Sequence, residues 1–315
     1  MALKSWLLNN FVDWLNHEFP FDGEPPCDFQ RLSDEIRPCD VLLVEGRTRV
    51  ANMIKTITSS SWTHSALYIG RLSEIDEPGL RALIQLHYDG DENDQLLIEP
   101  LLGYGTVIRS LDVYKGEHLR ICRPQSLTPE DGQIVVSRAA DHLGVAYDIR
   151  QLVDLARFLF PFGILPRRWR SSLFKAGAGE QTKTVCSTMI AEVFSEVHYP
   201  VLPVIHRDDA GDLHLYKRNT RLYTPSDFDY SPYFDIIKYP ILGLDDLALY
   251  RQLPWDEEGL VCNAVGDCFV PPTSGVINRR DVAGQNRQMD RGAEASAAED
   301  AELTGVRNSG PSLSR

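Results

Sequence analysis

The chain has 315 residues, of which 43% are hydrophobic and 24% are charged. These proportions are typical of a soluble globular protein, and the length allows one large domain or two modest ones. The formal charge of -13, together with the lack of a basic patch interleaved with aromatic residues, excludes nucleic acid as an expected partner.

The six cysteines indicate neither a disulfide framework nor a zinc site, because none forms a CxxC pair or has zinc-finger spacing. They are Cys27, Cys39, Cys122, Cys186, Cys262 and Cys268. We see no signal peptide and no apolar run of membrane-spanning length, so a reducing cytoplasm is the expected location.

Residues 1–19 have the pattern of an amphipathic helix. Its apolar face is predicted to contain Leu3, Trp6, Leu7, Phe11, Trp14 and Leu15. We expect this face to pack on the body of the protein. Peripheral membrane contact is the alternative, although Lys4 is the one basic residue on the polar face. The proline-rich residues 20–30 are interpreted as a linker.

Short apolar segments predict a small antiparallel sheet. The predicted strands cover residues 41–44, 63–70, 95–100, 105–111 and 119–123, with a last strand at 234–239. Helices are expected over 50–57 and 128–142, the second with a threonine cap and a proline at its first position. The acidic loop 87–94 differs from a calcium loop in its glycine position and lacks the closing glutamate.

The second half of the chain is less regular. Residues 144–159 predict a break followed by a second helical stretch, 200–212 a loop, 223–234 turns, and 244–255 a short helix. In residues 158–170, aromatic residues and leucines precede a basic cluster, which suits either a buried connection or a lipid-contacting surface. From about residue 271 the composition predicts disorder.

Cys186 lies in the first turn of a predicted amphipathic helix that begins near Thr184. The free N–H groups and the positive end of the helix dipole favour a thiolate at this position. A thiolate is the form in which cysteine acts as a nucleophile. The alternative interpretation is an inert, buried cysteine.

His64 and Glu99 are the candidate partners of this thiol. His64 begins a predicted strand, and Glu99 ends the apolar run of the next one. Cysteine catalysis requires a base that shares the thiol proton and a third group that orients the base. Taken singly, His64 is also compatible with a structural role and Glu99 with an edge charge.

Four segments resemble the circularly permuted NlpC-type papain-fold cysteine hydrolases of the YiiX-like group, whose layout is shared by lecithin:retinol acyltransferase-like enzymes. They are Arg-Pro-Cys-Asp-Val-Leu-Leu-Val-Glu-Gly (37–46), Trp-Thr-His-Ser-Ala-Leu-Tyr-Ile-Gly (62–70), Leu-Ile-Glu-Pro (97–100) and Val-Cys-Ser-Thr-Met-Ile-Ala (185–191). The resemblance covers about residues 36–240. One departure is Cys39, where the family usually has glycine.

The resemblance implies an α+β fold of the permuted papain-like type, with a small antiparallel sheet packed on helices. It implies that Cys186 is the nucleophile, His64 the general base and Glu99 its orienting group, and that Tyr147 lies near the nucleophile. The expected organisation is an N-terminal helix and linker (1–30), a catalytic domain (31–255) and a largely disordered extension (256–315).

The leading hypothesis is a cysteine hydrolase that cleaves an amide, ester or thioester through an acyl-enzyme, on a small-molecule, peptide or lipid substrate. The alternatives are an acyltransferase or lipid-modifying enzyme of the same fold, and a non-catalytic lipid- or protein-binding module. No cofactor and no metal are expected. Residues 158–170 and 1–19 are the candidates for peripheral membrane contact.

Overall fold

A six-stranded antiparallel sheet organises the first of the two units into which the chain divides, residues 1–247 and 248–315. The computed structural model describes residues 10, 12–19, 26–145, 186–244, 246–255, 261–262 and 268–269. An α+β class is therefore correct, with strands and helices both contributing to the first unit. The domain boundaries expected at residues 30 and 255 stay predictions.

The strands of the first unit are β1 Val41–Glu45, β2 His64–Arg71, β3 Gln95–Leu101, β4 Gly105–Ser110, β5 His118–Pro124, β6 Val204–Arg207, β7 Leu213–Tyr216 and β8 Phe234–Ile237. Their order across the large sheet is β4-β3-β2-β1-β5-β8, and every neighbouring pair is antiparallel. The six strands expected from the sequence are thus confirmed. In the second unit, the described strands are β9 Val261–Cys262 and β10 Cys268–Phe269, which pair with each other.

In the described part of the chain, beyond the short helical segment at residues 12–15, the helices are α1 Phe29–Glu35, α2 Arg49–Thr58, α3 Pro78–His87, α4 Pro129–Asp141, α5 Cys186–Glu196 and α6 Pro225–Tyr230. Helix α4 begins as expected, with the Thr128 side chain accepting from the N–H of Asp131 and Pro129 at the first position. Short 3-10 helices cover Leu72–Glu74, Leu111–Tyr114, Thr220–Leu222 and Leu249–Gln252.

The sheet buries both of its faces. Because side chains alternate along a strand, Leu67 and Ile69 of β2 join the core cluster that contains Met189 and Phe194 of α5. Ala66 and Tyr68, from the same strand, belong to a second cluster on the opposite face. The face of β2 that carries Ala66 and Tyr68 therefore lies on the side of the sheet opposite Met189 and Phe194 of α5.

Several local predictions were wrong. The loop expected over 200–212 includes strand β6, which forms a hairpin with β7. All eight strand residues of that hairpin are exposed, so the pairing is not accompanied by burial of one face. Turns were expected over 223–234, but helix α6 forms there. Its Thr224 and Asp227 make a capping box, a signal that was present in the sequence.

Three further differences concern helices. Helix α1 begins within the predicted linker, because Asp28 caps it and its Leu32 is buried. Helix α3 was not predicted. The helix expected over 244–255 is reduced to the 3-10 turn Leu249–Gln252. Helix α3 does pack Leu80, Leu83 and Ile84 on the core at helical spacing, so its sequence carried a signal that was missed.

Two residues of the predicted N-terminal apolar face, Trp14 and Leu15, are described. Leu15 is buried, as is Val12, which was not predicted to lie on that face, whereas Trp14 remains 51% exposed. The prediction that Trp14 packs inward was therefore wrong. The guanidinium of Arg49 lies 4.8 Å from the centroid of the Trp14 ring, which compensates for the incomplete burial.

Some predictions fall outside the described residues: the helical stretch up to Leu159, the apolar and basic segment 158–170, Tyr147 and the tail from 271. Among the described residues, none of the helices has the length and apolar character needed to cross a membrane.

Candidate active site

Helix α5 places Cys186 as its first residue, above the start of strand β2. The inward face of the helix, with Met189, Ile190 and Phe194, is fully buried. This packing fixes the helix against the sheet, so that Cys186 is itself only 6% exposed. The thiol therefore lies at the helix N-terminus, where the partial positive charge of the helix dipole favours the thiolate.

His64 is the first residue of β2 and lies opposite Val44 of β1. The turn before it is held because the N–H of Thr63 donates to the carbonyl of Val44 at 3.1 Å, and the N–H of Gly46 donates to Oγ1 of Thr63 at 2.9 Å. The imidazole is therefore mounted on an ordered strand end, next to the sulfur of Cys186.

Glu99 lies in strand β3 and is fully buried. Its Oε2 is 2.5 Å from Nε2 of His64 and also accepts a hydrogen bond from the hydroxyl of Tyr114. Nη1 of Arg109 lies 3.6 Å from its Oε1. A buried carboxylate needs such partners to stay ionised.

The charges of the three side chains support one another. Burial would raise the pKa of the Cys186 thiol, but the His64 imidazolium and its hydrogen bond to the sulfur lower it below the ordinary value of 9.0. Burial opposes the imidazolium too, yet the Cys186 thiolate and the Glu99 carboxylate raise the pKa of His64 to about 10. Although burial opposes its charge, contacts led by His64 lower the pKa of Glu99. The three pKa shifts run in the direction of a thiolate, an imidazolium and a carboxylate.

The ring nitrogens of His64 have separate partners. Since Nε2 bonds to Glu99, Nδ1 is the nitrogen left for the sulfur. Ser65, the next residue of β2, acts on the sulfur through its N–H and its hydroxyl, and both lower the pKa of Cys186. The Ser65 hydroxyl is fully buried and has no hydrogen-bond partner of ordinary geometry in the described chain.

The other described cysteines lack this environment. Burial raises the pKa of Cys39 to about 12 and also raises the pKa values of Cys27 and Cys122. Of the four cysteines whose side chains the structure describes, Cys186 is the one whose pKa is lowered. The environment therefore distinguishes Cys186 from the other three thiols, in which burial favours the uncharged form.

Cys39 has a backbone role. It adopts a left-handed conformation with φ 71°, which explains why glycine suits this position in the family that the sequence resembles. The next residue, Asp40, is buried and pairs with Arg123 through contacts of 2.7 and 2.9 Å. The turn into β1 is thus formed with cysteine in place of glycine.

Three of the four site residues predicted from the sequence come together: Cys186, His64 and Glu99. Tyr147 lies outside the described residues. The sequence analysis did not find Tyr114, Arg109 or Ser65. The pairing of β3 with β4 offered a signal for Arg109. Arg109 lies opposite Leu97, which is two residues from Glu99 on β3, so Arg109 and Glu99 lie on the same face of the sheet.

The chain matches no protein-family model and no curated protein. Among solved structures it is similar to the metalloprotein YiiX from Escherichia coli O157:H7 (DUF1105), with a TM-score of 0.39 and 11% identity over 64% of this chain and 97% of that chain. In the described part of this chain, no three or more His, Cys, Asp or Glu side chains are grouped to hold a metal ion.

Proposed function

We propose that the protein is a cysteine hydrolase with a permuted papain-like arrangement, which cleaves an amide, ester or thioester through an acyl-enzyme. The observation that carries this proposal is the His64 ring, which contacts the Glu99 carboxylate at 2.5 Å through Nε2 and interacts with the Cys186 sulfur. A nucleophile, a base and an orienting group in this relation are the parts that thiol catalysis requires.

The first half of the reaction forms the acyl-enzyme. The Cys186 thiolate attacks the substrate carbonyl carbon, a C–S bond forms, and the carbonyl π electrons move to oxygen. The tetrahedral intermediate then collapses, the bond to the leaving group breaks, and Nδ1 of the His64 imidazolium gives its proton to that group. The N–H of Cys186 at the helix N-terminus is the candidate donor to the oxyanion, with Tyr147 proposed as a second donor.

The second half regenerates the thiolate. Neutral His64 takes a proton from water, whose oxygen attacks the thioester carbon. The new intermediate expels the sulfur of Cys186 as a thiolate, the acid is released, and the imidazolium is again present. Glu99 keeps the ring oriented throughout and stabilises its positive charge without accepting its proton.

The experiment is turnover of 4-nitrophenyl ester, anilide and thioester substrates by the wild-type chain and three variants. We expect Cys186→Ala to lose turnover and His64→Gln to lose most of it. The matched control is Cys27→Ala, which removes another buried cysteine and should retain turnover. Equal turnover by Cys186→Ala and the wild type would contradict the proposal.

Hydrolysis and acyl transfer differ only in what attacks the acyl-enzyme. The same assays with an added amine or alcohol separate them. Free acid alone in the presence of the acceptor supports a hydrolase. An acylated acceptor as the main product would replace this proposal by an acyltransferase of the same site.

A further inference from the structure

Glu99 has more partners than the orientation of one histidine requires. Its Oε2 accepts from two donors, Nε2 of His64 at 2.5 Å and the hydroxyl of Tyr114. Its Oε1 makes no hydrogen bond in the described chain but lies 3.6 Å from Nη1 of Arg109. The carboxylate is fully buried, so each of these contacts acts with little screening by solvent.

Tyr114 and Arg109 both contact this carboxylate and lie next to each other. Tyr114 ends the 3-10 helix Leu111–Tyr114 and is 9% exposed. The guanidinium of Arg109 lies 5.9 Å from the centroid of the Tyr114 ring, and that ring lies 6.3 Å from the His64 ring. The Tyr114 ring is thus a neighbour of both Arg109 and His64, and its hydroxyl donates to the Glu99 carboxylate.

We propose that Tyr114 and Arg109 are positioning residues that hold Glu99 ionised and aimed at Nε2 of His64, and thereby set the fraction of Cys186 that is thiolate. The inference rests on the proposed function and adds two residues that act through Glu99. Neither residue is assigned a contact with substrate.

Tyr114 and Arg109 influence the Cys186 thiol in three steps. A buried carboxylate would otherwise take up a proton or rotate, and the hydroxyl and the guanidinium both favour its ionised form. The ionised carboxylate keeps a proton on Nε2 and stabilises the imidazolium. Without a stable imidazolium, the proton shared by the pair stays on sulfur until the pH approaches the ordinary pKa of a thiol.

In the described chain, the charged and titratable groups that face Tyr114 and Arg109 are Glu99, His64 and, at longer range, Cys186. Burial and the charge of Glu99 raise the pKa of Tyr114 well above its usual value. The phenol therefore remains a donor across the range in which the thiol titrates. The pH dependence of Cys186 alkylation therefore reports the Cys186–His64 pair and not Tyr114.

The test is the rate of alkylation of Cys186 by iodoacetamide as a function of pH, read by peptide mass spectrometry on the full chain. It requires no substrate. In the wild type, we expect a midpoint below that of an ordinary thiol. In Tyr114→Phe the midpoint should move up, with a loss of about tenfold or more in rate at neutral pH, because the carboxylate loses a hydrogen bond to its charged form.

Arg109→Gln should shift the midpoint in the same direction, and Arg109→Lys should restore part of it because the charge is kept. Two control variants remove comparable groups elsewhere. Tyr68 belongs to the same core cluster as Tyr114, and Tyr68→Phe removes a hydroxyl that accepts a hydrogen bond from the side-chain amide of Gln95. Arg71→Gln removes an arginine with the same 37% side-chain exposure as Arg109, paired with Glu74. Neither control should move the midpoint.

The outcomes separate the two proposals. If the wild-type midpoint is low but Tyr114→Phe and Arg109→Gln leave it unchanged, the positioning role is wrong while the thiolate of the proposed function remains. If the wild-type thiol titrates normally, the proposed function itself fails. Tyr114→Phe keeps the ring and its packing, and a circular dichroism melt close to that of Tyr68→Phe shows that the shift is not an unfolding effect.

Discussion

Nε2 of His64 and Oε2 of Glu99 lie 2.5 Å apart, although 34 other residues separate them in the chain and they belong to different strands. The contact joins the half-buried end of β2 to the buried interior of β3. Because it fixes one ring nitrogen, it also fixes which nitrogen remains for the thiol. The activity proposed for Cys186 depends on this relation.

Replacing Glu99 by glutamine should keep the shape of the site and remove the charge. The imidazolium then loses its counter-ion, and we expect kcat/KM to fall by about tenfold or more, since a charged hydrogen bond of this kind contributes roughly 1.5–3 kcal/mol. The control is Glu45→Gln, because Oε2 of Glu45 holds Nδ1 of His118 at 2.7 Å on the same sheet. A similar loss in both variants would mean that the effect is not specific to the site.

Activity should follow a broad bell-shaped pH profile. On the acid side it rises as Cys186 loses its proton, at a pH below the ordinary value of 9.0 because the pKa of the thiol is lowered. On the alkaline side it falls as the imidazolium deprotonates, near pH 10. His64→Gln should abolish the low-pH thiolate, and alkylation should then follow a single ordinary thiol titration. A low midpoint that persists without the histidine would show that it has another source.

Ser65→Ala tests the contribution of the hydroxyl to the thiolate. We expect the alkylation midpoint of Cys186 to rise and the rate at neutral pH to fall severalfold, roughly the effect of one hydrogen bond to a charged group. Ser187→Ala is the control, because its buried hydroxyl donates to the carbonyl of Tyr223 at 2.6 Å instead. It should lower stability without moving the midpoint. A shift of equal size in both serine variants would count against a direct role of Ser65.

Removing Arg123 should destabilise the fold without altering the thiol. Arg123→Met leaves the buried carboxylate of Asp40 without its partner, which costs about 3–5 kcal/mol in such pairs. The double variant Asp40→Asn/Arg123→Met should recover part of that loss. Arg138→Met removes an exposed arginine that pairs with Asp141 and Glu196, and should cost at most about 1 kcal/mol. Urea denaturation measures all three, and equal costs for Arg123→Met and Arg138→Met would refute the argument.

The sequence predicted the large sheet well because its strands are short, continuous apolar runs between turns, as in Val41–Val44 and Gln95–Pro100. It predicted helix α4 from a cap and a proline at residues 128 and 129. The exposed hairpin of β6 and β7 was missed because pairing there is made by the backbone, and its side chains carry no burial pattern.

For the site, the sequence provided candidate residue types but not their convergence. His64, Glu99 and Cys186 were chosen by chemistry and by position at element ends, and the distances between them depend on how α5 packs on β2. Tyr114 had no local signal at all. It follows β4 in a 3-10 helix, and only the fold brings its hydroxyl to a carboxylate 15 residues away.

The most direct measurement is to trap the acyl-enzyme. The wild-type chain is mixed with a 4-nitrophenyl ester, quenched in acid during turnover, and mapped by peptide mass spectrometry. The account predicts an acyl group on the sulfur of Cys186 that appears and then decays as free acid is released, and no turnover by Cys186→Ala. An acyl group found on another residue, or turnover that survives in Cys186→Ala, would contradict it.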